Sequence, residues 1–414
     1  MRSHLAVLLL LLSAPASAEA IDLTKAKSFI AERQALCDAD QGRLWGKPLC
    51  GPILFADDAG REVVASQAGQ GDALTSKSGL FIGKLPAAIP ISNTATDWDG
   101  VHWSMLEWPL PEERKERDTL LIHESWHRIQ AELGLPARSP VAEHLARSDA
   151  RIALRLEWRA LSAALSAPDE AARKGAIRDA LIFRQERRAA TRQAGELENQ
   201  LELNEGLAEY TGRKLSGEDA AAIAATLGRA ERKSSFVRSF AYSSGPAYGY
   251  LLDLYGPDWR RYLNARSDLG TILAKAAGVG LPKDIVKEAK AAGQRYGYTA
   301  VAEEEHESER RHAEQAKQWT ATLIKGPVLR LPLIKMRIQF NPSNLFPLPS
   351  HGTVYPTLQI ADEWGTLKTD SGGLIDKSWS SVVLPASGQA AVTLKSGWSW
   401  HPGKRKGDLI AARD

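Results

Sequence analysis

The sequence predicts an α+β fold, in which an α-rich region carrying a small mixed sheet is followed by a β-sandwich-like domain. Three observations lead there. Residues 21–110 mix one helical stretch with short apolar runs set between Gly- and Asp-rich turns. Residues 111–325 read as helical, with the stretch 141–215 rich in Ala, Leu, Arg and Glu, all strong helix formers. From 326 to 414 the composition turns to Pro, Gly, Ser and Thr, with brief β-type runs between turn signals.

Residues 1–20 have the layout of a secretory signal: Arg2, an apolar run from Leu5 to Leu12, then the small residues Ala16, Ser17 and Ala18. The run is far shorter than the roughly 20 residues that cross a bilayer. A secreted or periplasmic chain of about 394 residues is expected, without stable membrane insertion. Next comes a short helix over Leu23–Leu36, and a strand over Val101–Trp108 that Pro109 and Pro111 end. A helix opens near Pro111 with Glu112 and Glu113 in its first turn, and runs to Leu133, where Gly134 and Pro136 stop it. Val141–Leu215 reads as a helical layer with breaks at Pro168, Gly175 and Gly195. The charged stretch Glu303–Glu314 reads as an exposed helix face. Lys335–Phe340, Val354–Ile360 and Ala391–Leu394 read as strands.

Composition narrows the functional classes. A hydrophobic fraction of 43%, a charged fraction of 25% and a net charge of +3 belong to a packed protein and carry no electrostatic footprint for nucleic acid. The two cysteines, Cys37 and Cys50, are expected to form a disulfide in an oxidising compartment.

The chemistry concentrates at His123-Glu124-Ser125-Trp126-His127. Histidines four apart on a helix project from one face and can chelate one metal ion, while Glu124 between them can reach a metal-activated water without being a ligand. The flanking Leu120, Leu121, Ile122 and Ile129 imply a buried helix, where two unpaired imidazoles beside a carboxylate are costly without a metal or other partners. Nine histidines in 414 residues make chance an unattractive explanation. A catalytic zinc takes a third protein ligand and keeps the fourth position for water.

Downstream lies Leu203-Asn204-Glu205-Gly206-Leu207-Ala208-Glu209-Tyr210. With HExxH ahead of it, this segment resembles the gluzincin zinc metallopeptidases, the group of thermolysin and aminopeptidase N. The resemblance covers roughly 95–325 and implies a zincin-like catalytic domain acting on a peptide or protein substrate. It implies that Glu205 is the third zinc ligand and that Glu209 holds a ligating histidine by its other N–H. It also implies that Tyr242, in Tyr242-Ser243-Ser244-Gly245, donates a hydrogen bond to the oxyanion; Tyr248 and Tyr250 compete for that role. The strand at Val101–Trp108 is expected at the sheet edge that holds extended substrate.

The 77 residues between His127 and Glu205 exceed the aminopeptidase interval and leave Asp149, Glu157 and Asp179 as rival ligands. The aminopeptidase amine-binding motif is not present at its spacing, with only Met105 and Glu107 faintly similar. His306 and His312, six apart, diverge by about 240° on a helix. His144, His351 and His401 read as isolated, solvent-facing residues. The rival function is a zinc-binding envelope protein that recognises peptides or a protein partner without catalysis.

Overall fold

The computed structural model describes residues 21–414 except 87, 257, 341–344, 349 and 389, so the expected signal segment 1–20 lies outside the described residues. The protein is α+β and divides into two compact units. Unit 1 comprises residues up to His144, Ala153–Glu231 and Val237–Ala292; unit 2 comprises Leu145–Ile152, Arg232–Phe236 and Gly293–Asp414. Among the described residues, no helix is long and apolar enough to cross a membrane.

Unit 1 opens with α1 (Leu23–Asp40), whose first turn is capped by the Asp22 carboxylate accepting from the amides of Thr24 and Lys25. Cys37 in its last turn is bonded to Cys50. Six strands follow: β1 (Ile53–Ala56), β2 (Glu62–Ala65), β3 (Leu74–Lys77), β4 (Leu80–Lys84), β5 (Thr94–Trp98) and β6 (Val101–Glu107). They form a mixed sheet in the order β3-β4-β2-β1-β6-β5, with β1 and β6 parallel and the other pairs antiparallel.

The expected edge strand is corrected here: β6 is internal, and β5 takes the edge. The reason is the dipeptide Asp99-Gly100, in which both residues have positive φ, 50° and 75°. A two-residue turn with left-handed φ at both positions matches strand twist, so Trp98 folds back opposite Val101 and β5 covers the flank of β6.

Helix α2 (Arg114–Gln130) is N-capped by Glu113, whose carboxylate accepts from the Glu116 amide. Its Leu121 packs with Phe29 of α1 and with Ile53, Phe55, Val64, Leu80 and Leu106 from one face of the sheet. Leu54, Val63, Trp103 and Met105 build a second core on the opposite face. Both faces of the sheet thus carry buried residues, and α2 packs on one of them.

The chain continues through α3 (Ser148–Leu165), α4 (Glu170–Ala189), α5 (Ala194–Leu201), α6 (Leu207–Leu215), α7 (Ala220–Ala230), α8 (Ala241–Tyr255), α9 (Leu269–Ala277) and α10 (Ile285–Gly293). The break expected at Gly175 does not occur. This exposed glycine sits inside α4 because the Asp169 cap and its Ala, Arg and Glu neighbours outweigh its helix penalty of about 1 kcal/mol.

Unit 2 contains α11 (Tyr298–Trp319), β7 (Val328–Pro332), β8 (Arg337–Phe340), β9 (Phe346–Leu348), β10 (Gly352–Tyr355), β11 (Leu358–Asp362), β12 (Gly365–Thr369), β13 (Gly373–Asp376), β14 (Ser381–Pro385), β15 (Ala391–Leu394), β16 (Trp398–Pro402) and β17 (Leu409–Arg413). The expected strand over Val354–Ile360 is two strands, because Pro356 supplies no amide for a ladder. One sheet has the order β16-β17-β7-β14-β13-β10-β9, the other β15-β12-β11-β8. Ile375, Val382 and Leu384 of the first share a core with Ile360 and Leu367 of the second. The alternate residues Val354, Leu374 and Val383 turn the other way, onto Trp319 at the end of α11 and Leu323 and Ile324 in the π-helical segment Thr320–Lys325 that follows it. With that packing, the last segment of unit 2 begins at Gly293, ahead of the change in composition at Gly326. The charged stretch in α11 is not wholly exposed, since Glu305 is buried and paired with Arg151.

Candidate metal centre

The HExxH segment lies in the last three turns of α2, where the apolar face packs on the sheet and the opposite side meets α6. His123 and Glu124 are almost fully buried, and His127 is partly exposed. Facing them is one continuous helical run: α5, a π turn over Glu202–Gly206, then α6. The π turn inserts one residue into the helical repeat, as happens often where a side chain must be re-aimed. Glu198 before it and Glu202 at its start face Arg187 and Arg184, whereas Glu205 near its end and Glu209 after it face the histidines.

The geometry brings three donors together. His123 Nε2 and His127 Nε2 are 3.1 Å apart, and Glu205 Oε2 is 3.5 and 3.7 Å from them. Ligands at 2.0–2.1 Å in a tetrahedral zinc site are about 3.3 Å from one another, so these separations suit one small cation. The tautomers agree with that reading. His123 Nδ1 faces Glu209 Oε2 at 3.0 Å and His127 Nδ1 faces Gln130 Oε1 at 2.9 Å. With each Nδ1 donating to its side-chain oxygen, both Nε2 atoms are turned to the same point, where a metal ion replacing any proton there would meet two imidazole lone pairs. Among the described residues, His123, His127 and Glu205 are the group able to hold a metal.

Electrostatics favour a cation at this point. Burial opposes charge on His123, but hydrogen bonds to Glu205 and Glu209 outweigh it and push the imidazole up to about 10. Burial would also raise Glu205, yet His123, His127 and Tyr242 hold its carboxyl well below the usual range. The field that attracts a proton attracts a divalent ion more strongly. Glu124 is raised above the ordinary carboxylate range, chiefly by burial, and its Oε2 is buried with no hydrogen-bond partner among the described residues. An orphaned carboxylate oxygen beside three converging donors is suited to taking a proton from a water there.

Tyr242, at the start of α8, belongs to the same cluster. Its hydroxyl donates to Glu205 Oε2 at 2.6 Å and its ring stacks on His123 at 5.7 Å between centroids. Tyr248 and Tyr250 are elsewhere, donating to Glu157 and to the Glu218 carbonyl. Two glycines let α8 come this close. A Cβ on Gly245 would lie 2.3 Å from the Gly206 Cα, so the α8 backbone touches the π turn directly beside Glu205.

The rival ligands have other roles. Glu157 is buried among Arg184, Arg187 and Tyr248, Asp149 pairs with Arg147, and Asp179 is buried on α4. His144 is corrected: it is buried, with Nε2 2.7 Å from Glu198 Oε1. His351 and His401 are exposed.

Two supporting residues escaped the sequence reading. Gln130 accepts from His127 and donates from Nε2 to Asn204 Oδ1 at 2.9 Å; Asn204 Nδ2 in turn donates to Glu205 Oε1 at 2.9 Å. Ser139 Oγ also donates to Glu205 Oε1, at 2.8 Å, leaving Oε2 turned toward the histidines. Gln130 lies three residues after His127, the spacing of same-face neighbours on a helix, a signal that could have found it. Ser139 follows the helix in irregular chain and had no such signal. No family model, curated protein or solved structure matches this chain.

Proposed function

We propose that the protein is an exported zinc-dependent peptidase of the gluzincin type. The observation that carries it is the convergence of His123, His127 and Glu205 beside the unpartnered Glu124 oxygen and the Tyr242 hydroxyl. Unit 1 is read as zincin-like, with the HExxH helix lying between a mixed sheet and the glutamate-bearing helix; the two-sheet core of unit 2 is read as β-sandwich-like.

His123 and His127 through Nε2, and Glu205 through Oε2, would hold the ion. Zinc held there supplies Lewis acidity, bringing the pKa of water to about 7 and polarising a carbonyl. Glu124 takes the proton of the attacking water and delivers it to the leaving amine; its burial raises its proton affinity. Tyr242, on exchanging its bond to Glu205 Oε2, would donate to the oxygen on which negative charge develops. Glu209 and Gln130 hold the two imidazoles in the required tautomer. The free side of β5 offers main-chain groups to an extended peptide.

The test is Glu124→Gln. The variant is expected to retain one zinc per chain by elemental analysis and to lose turnover of a peptide library by at least a hundredfold. Equal turnover by variant and wild type would overturn the mechanism. Zinc binding with no turnover by either would favour a binding protein.

A further inference from the structure

Beside the metal-facing group runs the irregular segment Leu135–Ala142, which carries Ser139. It is pinned to the approach to α8: the Ala142 amide donates to the Val237 carbonyl at 2.9 Å, and Arg238 Nη2 donates to the Ser139 carbonyl at 3.1 Å. The residue that braces Glu205 through its hydroxyl thus holds a guanidinium through its carbonyl. Arg238 lies four residues before Tyr242 and is exposed.

Its charge is uncompensated. Among the described residues, Arg238 has no carboxylate within ion-pair distance, and its one hydrogen bond occupies one of five N–H donors. Arginines elsewhere around the centre are matched by acids, Arg213 by Glu209 and Glu218 and Arg260 by Asp253, whereas Arg238, like Arg61 and the exposed Arg229 farther away, is not. Arg138, adjacent to Ser139, is a second exposed guanidinium with no acidic partner among the described residues. Val141 in the same segment exposes 45% of its surface, an apolar contact beside these cations.

We propose that Arg238 is a substrate-recognition residue that receives a carboxylate of the peptide, so that unit 1 selects acidic substrate ends. A guanidinium pre-positioned by one carbonyl and otherwise free presents its fork to a carboxylate at little entropic cost. The α-carboxylate of a C-terminal residue and the side chain of Asp or Glu supply the same chemistry. The proposal rests on the reading of His123, His127 and Glu205 as a peptidase centre.

The experiment uses the full-length zinc-loaded protein and three peptides of common sequence: one with a free C-terminus and neutral side chains, its C-terminal amide, and the amide with one Glu introduced. Initial rates give kcat/KM, and fluorescence anisotropy on Glu124→Gln gives binding without turnover. Wild type is expected to favour one carboxylate-bearing peptide over the neutral amide by about tenfold or more, carried in KM. Preference for the free acid identifies an α-carboxylate, and preference for the Glu-amide identifies an acidic side chain. Arg238→Gln is expected to erase that ratio and Arg238→Lys to restore part of it, with circular dichroism showing a folded chain. No preference in wild type, or a preference that survives Arg238→Gln, would overturn the proposal. If no peptide is cleaved, the peptidase reading fails while the binding ratios still decide carboxylate recognition.

Discussion

The sharpest test of how the fold builds the centre is Gly245→Ala. An ideal Cβ on this residue would lie 2.3, 2.5 and 2.6 Å from the Cα, C and O atoms of Gly206. All three are backbone atoms, so no rotamer change relieves the overlap. Restoring an ordinary contact of about 3.4 Å requires α8 and the π turn to separate by about 1 Å at the point where Glu205 and Tyr242 are held. Overpacking of that size costs about 1–3 kcal/mol in stability. It also draws the Tyr242 hydroxyl from Glu205, and misplacement of a ligand's support weakens metal binding by roughly 10- to 100-fold. Competition with a chelator of known affinity measures zinc binding, and calorimetry measures stability. Gly175→Ala is the control: that glycine is exposed within α4 with nothing within 4 Å of its added Cβ, so the exchange should stabilise by about 0.5–1 kcal/mol. Wild-type zinc affinity and stability in Gly245→Ala would refute the argument that the glycine contact sets the site.

Glu205→Ala is expected to abolish stoichiometric zinc, whereas Glu157→Ala should keep the metal but lose stability, by less than the roughly 3–5 kcal/mol of a fully broken buried pair, because Arg184 keeps Glu202 and Arg187 keeps Glu198; elemental analysis and denaturant melts separate the two. Burial would raise Glu198, but Arg187 and Arg188 outweigh it and hold its carboxyl well below the usual range. Its folded value lies below its unfolded one, so its stabilisation is present above about pH 4.3 and drains away as pH falls toward the folded value. The acid limb of a Tm–pH profile should flatten in Arg187→Met. Exchanging both cysteines for serine should cost about 3 kcal/mol from the loop of 13 residues that the disulfide closes, read by urea denaturation under non-reducing conditions.

Much of the candidate site was legible. His123, Glu124 and His127 converge because spacing on a helix is a local property, and the structure gathers Glu205, Glu209 and Tyr242 around them. The Cys37–Cys50 bond likewise needed only two cysteines near in sequence. The edge strand was misassigned because an α+β pattern shows where strands occur but not their lateral order; Asp99-Gly100 was the overlooked sign that β5 folds back onto β6. His144 was misplaced because nothing local to it reveals Glu198, 54 residues away.

The division follows from how interactions depend on chain separation. Helix capping at Asp22 and Glu113, the facing of the two histidines and the β-runs of the C-terminal part are short-range, and the residues themselves determined them. The motif around Glu205 favoured it over Glu157, but what separates the two physically was decided only by tertiary structure. Both are acids on helices in the same interval, and they differ in what the fold sets opposite them: Arg184 and Arg187 neutralise Glu157 internally, while the π turn and the Gly206–Gly245 contact aim Glu205 at two imidazole lone pairs. A carboxylate's role depends on its partner, and that partner is chosen by packing between distant segments.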